Sequence, residues 1–234
     1  MKYNLKKTFC VAGALAFMAV GLSATAATFY ADNGSYVGNL FQLQDGMQVG
    51  NEISLAGKWS LTNFSFEYYS PNSALNSALD VEVKFYLNNG PSVNGHPTPG
   101  TLFYDSGLFF NTAAGNLPTG SHDISYSTAD LYSGSGLNMA VGYILPSDFT
   151  YTVTFNNFST NSIYLPLANN QSGPNVTTYG DYWLYSGGSW TLLENTAPAN
   201  FLVNMSGVPE PSVFYLGAIG SAILFGASKL KRKR

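Results

Sequence analysis

The sequence predicts an all-β protein: one antiparallel β-sandwich, jelly-roll-like, with an apolar helix at each end. Three observations predict it. Only 10% of the 234 residues are charged, while 15% are aromatic, with 16 Tyr, 16 Phe and 24 Gly. Soluble domains carry about 25% charge, aromatic residues favour strands, and Gly favours turns. Between residues 27 and 207 apolar side chains recur at every second position, the period of a half-buried strand. Two longer apolar runs, Phe9–Leu22 and Val213–Ala227, lie outside that stretch, each beside a group of basic residues.

Residues 1–26 have the three parts of a signal peptide. Lys2, Lys6 and Lys7 make a positive start, Phe9–Leu22 is apolar, and Ala24-Thr25-Ala26 supplies the small residues a signal peptidase accepts, so cleavage is expected after Ala26. The alternative is an uncleaved anchor, but the 14-residue run falls short of the roughly 17–25 residues that usually span a bilayer. Cys10 is the single cysteine. It lies at the start of the apolar run, most of which follows it, and lacks the preceding small residues of a lipid-attachment site, so the mature chain is expected to have no thiol for disulfides, zinc or nucleophilic catalysis.

Residues 27–207 read as the sandwich. Phe64, Phe66 and Tyr68 alternate with polar neighbours, as do Val81, Val83, Phe85 and Leu87, then Tyr151, Val153 and Phe155, and also Phe201, Val203 and Met205. Further strands are expected at Asn51–Leu55, Thr101–Tyr104, Asp123–Tyr126, Leu137–Ile144, Ile163–Leu165 and Tyr182–Tyr185. Turn clusters such as Asn88-Asn89-Gly90-Pro91 and Ser186-Gly187-Gly188-Ser189 separate them. At most one helical turn is expected, within Ser73–Asp80. About ten strands with no dividing linker fit one two-sheet sandwich.

Charge limits the partners. The net charge of −3 hides a strong asymmetry: residues 27–208 hold two lysines, Lys58 and Lys84, against twelve acids and no Arg, a net −10. Such a body has no basic surface for phosphates, so nucleic acid is excluded as a partner.

Residues 208–234 form a tail. Val208-Pro209-Glu210-Pro211 is followed by the apolar run, which sets a transmembrane helix over 213–228, and by Lys229, Lys231, Arg232, Lys233 and Arg234. The prolines keep the signature extended. The helix satisfies its own backbone in lipid, and the basic cluster stops transfer on the cytoplasmic side. Fifteen residues rise roughly 23 Å, less than the roughly 30 Å hydrocarbon core, so the helix suits a transient anchor better than a permanent one. A plain C-terminal anchor would give the same topology.

This tail resembles the PEP-CTERM sorting signal of Gram-negative bacteria, with Pro209, Glu210 and Pro211 matching the signature. The resemblance covers about 27 residues. It implies export, inner-membrane anchoring by the C-terminal helix, and recognition by an exosortase. The protein would then pass to the cell surface or an exopolysaccharide matrix. Signal peptidase, exosortase, the inner membrane and exopolysaccharide are the partners it implies. Within the body, Val83–Gly107, with Phe85-Tyr86, Pro99-Gly100-Thr101-Leu102 and Tyr104-Asp105-Ser106-Gly107, resembles a strand-loop-strand segment of bacterial surface β-sandwiches, including other PEP-CTERM proteins.

Catalytic chemistry is not legible in the body, which is read as non-enzymatic. His96 and His122 lack a second ligand at metal spacing and read as solvated loop residues. There is no G-x-S-x-G elbow. Asp80 and Glu82 share a strand face with Lys84 and read as a solvated outer face rather than a glycosidase pair. No catalytic residue, cofactor or resident metal is assigned. Asp32, Asp45, Asp105 and Asp181 could hold a structural Ca²⁺, although no D-x-D-x-D-G loop exists. Trp183 and Trp190, with Tyr185, flank a Gly-rich turn. They serve either as core or as rings on which a sugar stacks, and a carbohydrate-binding module or a secreted polysaccharide-active enzyme is the alternative function.

Overall fold

The computed structural model describes residues 25–31, 36–71, 79–110, 119–133, 136–140, 142–158, 163–169, 176–179, 181–194 and 200–210. The expected signal peptide, the apolar run of the tail, Pro211 and the basic cluster lie outside the described residues. So do Asp32 and most of the expected helical turn near Ser73. Among the described residues no helix is long and apolar enough to cross a membrane.

The alternating stretches form two antiparallel sheets. Sheet 1 contains β1 (Ala27–Ala31), β2 (Tyr36–Gln42), β4 (Trp59–Ser70), β10 (Gly120–Ser127), β12 (Tyr164–Ala168), β16 (Asn200–Phe201) and β17 (Val203–Pro209). Sheet 2 has the order β15 (Ser189–Glu194), β14 (Asp181–Ser186), β3 (Gln48–Leu55), β11 (Asp148–Asn156), β5 (Asp80–Leu87), β8 (Leu102–Asp105), with β13 (Val176–Thr178) on β3 and β9 (Phe109–Phe110) on β5. A two-stranded ribbon, β6 (Ser92–Val93) with β7 (His96–Pro97), stands apart. The one α-helix among the described residues, α1 (Thr128–Ser133), starts where Asp130 Oδ2 accepts the Ser127 N–H and Oγ–H, both at 2.7 Å, the half of a capping box in which the first-turn side chain reaches back to the residue before the helix.

The period-2 pattern directs the inward side chains of both sheets into one core. Phe64, Phe66 and Tyr68 of β4 meet Val83 and Phe85 of β5 and Tyr151, Val153 and Phe155 of β11, all buried. Rings interlock across the sheets: Phe64 packs on Phe85 (5.3 Å, 70°) and on Tyr151 (5.5 Å), and Phe66 on Phe155 (6.0 Å, 86°). Edge-on aromatic pairs of this kind add roughly 0.5–1.5 kcal/mol beyond their burial.

One polar side chain sits fully buried among them. Asn51 of β3 donates to the Asp181 carbonyl (2.7 Å), and its Oδ1 accepts from the Tyr151 hydroxyl (3.1 Å) and the Phe201 N–H (2.9 Å). It therefore ties β3, β11 and β14 of sheet 2 to β16 of sheet 1.

The expected strand Leu137–Ile144 does not form. Its backbone groups are spent on several elements. Leu137 C=O accepts from Asp105 N–H (2.9 Å), Met139 N–H donates to Leu131 C=O (3.2 Å), and Tyr143 N–H closes a turn on Ala140 (2.8 Å). Only Ile144 makes a bridge, to Ser60. Gly142 has φ +75°, a left-handed turn that breaks the alternation, and Gly136 lies so close to the Asp105–Gly107 backbone that a Cβ would sit 2.0 Å from Asp105 O. The segment is a crossover from α1 to β11.

Replacing Asn51 by Leu leaves the Asp181 carbonyl and the Phe201 N–H short of a buried partner. At roughly 1–3 kcal/mol per orphaned group, Asn51→Leu should lower unfolding free energy by about 3–5 kcal/mol in urea denaturation. Tyr151→Phe, which removes the hydroxyl's bond to Asn51 and leaves the amide's other two partners in place, should cost about 1 kcal/mol.

Candidate functional site on the outer face of sheet 2

Sheet 2 turns a second face away from the core, and much of it is buried too. Thr150, Thr152 and Thr154 alternate with the core residues of β11 and point outward, yet each is at most 7% exposed. Their threonine-rich, in-register row fits an antiparallel sheet whose outer face is covered rather than washed by solvent.

At one end of this face three rings gather. Trp190 packs on Tyr185 (4.9 Å, 52°), its cross-strand partner, and meets Tyr86 of β5 edge-on (5.5 Å, 77°). Gln48 fixes Tyr86 by donating to its hydroxyl (2.9 Å) while also donating to Thr152 Oγ1 (2.7 Å). Tyr185 is 37% exposed, and Trp190 and Tyr86 are half-buried. Beside Tyr86, Lys84 Nζ lies 2.7 Å from Glu82 and 3.7 Å from Asp105. Burial pushes the Glu82 carboxyl above the usual carboxylate range against the pull of Lys84.

Trp183 behaves differently from the other two members of the expected stacking set. Opposite Gly50 in the ladder it points to the outer face, but it is 1% exposed. Of the two expected readings of Trp183, core or stacking ring, its burial fits the first; Tyr86, which is not among the expected stacking residues, takes the third place beside Trp190 and Tyr185.

The other end of the face is acidic and covered. The β5–β8 hairpin runs on past the sheet as a ribbon, held by Gly90 N–H to Thr98 O (3.0 Å), Thr98 N–H to Pro91 O (3.0 Å) and the β6–β7 pair. It turns at Asn94 and Gly95, both with positive φ, the two-residue turn that suits right-twisted hairpins. The Asn94 side chain donates to Glu194 on β15 (3.1 Å). Four strand spacings separate β5 from β15, about 19 Å at roughly 4.8 Å each, so the ribbon lies across the sheet. Thr150 Oγ1 donates to Asn88 Oδ1 at its root (2.7 Å), and His96 meets Tyr179 edge-on (6.2 Å). Glu52 and Asp181 are left 7% and 9% exposed. Burial raises both carboxyls above their ordinary range, and His96 opposes that shift at each. Asp181 and Asp148 push Glu52 further up, and Glu194 does the same to Asp181.

Several expected residues therefore fall elsewhere than the sequence suggested. His96 is half-buried in the ribbon rather than solvated, whereas His122 is exposed on β10, its ring nitrogen 2.9 Å from Thr119 O. Asp80 is 4% exposed and accepts from Asn157 Nδ2 (2.9 Å), because β5 lies inside sheet 2 between β11 and β8. Among the described residues, the carboxylates considered for Ca²⁺ (Asp45, Asp105 and Asp181) do not come together. Asp45 accepts the Asn157 N–H (2.6 Å), Asp105 accepts the Gly107 N–H (2.8 Å), and Asp181 sits under the ribbon. Among the described residues no three His, Cys, Asp or Glu side chains come together as a metal group. A cleft of about 30 Å³ between Glu67, Asp123 and Leu202–Asn204 has room for a water molecule but not for a sugar. The sequence signal that would have found the ribbon is Asn94-Gly95 between Ser92-Val93 and His96.

No protein-family model, curated protein or solved structure matches the chain.

A carboxyl with a raised folded pKa lends stability below its ordinary range and loses it as pH rises through the raised value. Glu52→Gln removes that ionisation. Its urea midpoint should equal that of the native chain at pH 4 and exceed it at pH 8; a difference that does not change with pH would contradict the burial argument.

Proposed function

We propose that this is an exported envelope protein, delivered to the cell surface or exopolysaccharide matrix by a PEP-CTERM-type tail, with residues 27–207 as a non-enzymatic, jelly-roll-like body. The observation that carries this reading is the β1–β17 ladder. Ala27, the first residue after the expected signal-peptide cleavage, pairs with Gly207, two residues before Pro209. Both ends of the body leave from one edge of one sheet, which suits a domain delivered and then held by a membrane segment at either end. Residues Ala26–Val208 also form one compact unit, which supports reading this stretch as one body. Pro209 closes β17 and Glu210 follows it outside the strand, so the signature straddles the end of that strand. The jelly-roll reading draws on ladders between distant segments, β3 with β11 and β4 with β12.

Mass spectrometry of the surface-exposed protein should show Ala27 as the first residue and loss of the chain beyond about Pro211. Replacing Pro209, Glu210 and Pro211 with alanines should trap the protein at the inner membrane. Unchanged surface delivery of that variant would reduce the tail to a plain anchor.

A second reading is favoured by the Tyr86–Trp190–Tyr185 cluster: the body binds glycan there. Rings stack on the apolar faces of pyranoses, and Lys84, Glu82 and Asp105 beside them supply donors and acceptors for hydroxyls. Because this charge set is net negative on an acidic body, the ligand is a neutral rather than an anionic polysaccharide. Native protein should be retarded in affinity gels containing hydroxyethyl cellulose and not in gels containing alginate, and Trp190→Ala should abolish the retardation. Equal mobility of native and Trp190→Ala protein would leave the rings as packing.

A further inference from the structure

The ribbon over the acidic end of sheet 2 has no structural need that the two sheets leave unmet. The core closes without it, and its own contacts are polar: Asn94 to Glu194, His96 against Tyr179, and Thr150 to Asn88. What it covers is unusual for the outer face of a sheet. Two carboxyls, Glu52 and Asp181, are held nearly dry with each other, Asp148 and Glu194 as neighbours, and the His96 ring facing them. Tyr179, between β13 and β14, faces the same acids. Buried like charges repel strongly once ionised, whereas uncharged carboxyls are compatible with a closed cover.

We propose that the β6–β7 ribbon is a strap, closed by His96 and Asn94 over Glu52 and Asp181, that lifts when these acids are charged, opening the acidic row to the hydroxyls of a neutral glycan held on Tyr86, Trp190 and Tyr185. The ligand half of this inference rests on the glycan reading above; the strap half does not. Freed carboxylates accept hydrogen bonds from sugar hydroxyls, and Glu52 lies on the same face as Gln48, the residue that holds Tyr86. The raised carboxyl pKa values of Glu52 and Asp181 fix the direction. The closed form is favoured in acid and is lost as pH rises.

Hydroxyl-radical footprinting of the full chain reads the strap directly. Oxidation of His96 and Tyr179, normalised to exposed Tyr185, should rise severalfold between pH 5 and pH 8. In Glu52→Gln/Asp181→Asn protein it should stay low at both. Asn94→Ala, which cuts the tip contact without touching the acids, should raise oxidation already at pH 5. Constant oxidation with pH in the native chain, or the same rise in the double variant, would overturn the strap. In hydroxyethyl cellulose gels, retardation should be greater at pH 8 than at pH 5, and the double variant should lose the difference. A footprint that changes with pH while retardation does not would keep the strap and overturn its role in binding. A Trp190→Ala protein that runs like the native chain at both pH values would instead overturn the glycan reading beneath it.

Discussion

Asn51 is the interaction on which much of the rest depends. Its amide reaches Asp181, Tyr151 and Phe201 at once, so a single buried side chain sets where β14 lies along β3 and where the last strands enter sheet 1. The chain after Asn200 is divided. Phe201 pairs with β12, Leu202 donates to Pro166 O (3.2 Å) and accepts from Glu67 N–H (3.0 Å), and Val203–Pro209 then runs beside β4 and β1. Fixing Phe201 fixes that divergence, and with it the register that brings Gly207 to Ala27. A buried amide is a costly way to fill a core unless every group on it is paired. Its return is specificity: an apolar residue of similar size would bury as well but would leave the two sheets free to slide.

The parts of the fold legible in the sequence are those where one face is core and the other is not. Phe64–Tyr68, Val81–Leu87 and Tyr151–Phe155 announce themselves by alternation because their outward neighbours are polar, and all three are strands. The β15 strand was not legible, since Trp190 and Leu192 face outward while Thr191 and Leu193 face inward, and a covered outer face erases the period-2 signal. β2 was missed for a local reason: Gly38 with φ +82° and Asn39 read as a turn inside Tyr36–Gln42. Leu137–Ile144 failed in the opposite sense. It has strand composition, but its hydrogen bonds go to α1, β4 and the end of β8.

The same covering explains what was and was not legible of the candidate site. Trp190 and Tyr185 stand out because they flank Ser186–Ser189, a turn that any reading marks. Tyr86 does not, because its role depends on Gln48, thirty-eight residues away. Trp183 shares composition with Trp190 and differs only in position. It sits over Gly50, in the middle of the sheet, where neighbouring strands close around it, whereas Trp190 is on the edge strand. Glu52, Asp181 and His96 come from three distant stretches and share no spacing, so only the folded sheet brings their charges together.

Acidity is the property that joins body and tail. A body with two lysines and twelve acids has little attraction for anionic lipid headgroups, and the other eight basic residues lie within the first seven and last six positions of the chain. The body's own first and last strands, β1 and β17, are neighbours in sheet 1. The outer face of sheet 2, by contrast, belongs to strands β15, β14, β3, β11 and β5, none of which carries a terminus. The chain enters and leaves the body through sheet 1, so the aromatic and acidic rows of sheet 2 lie on strands that neither end of the body extends.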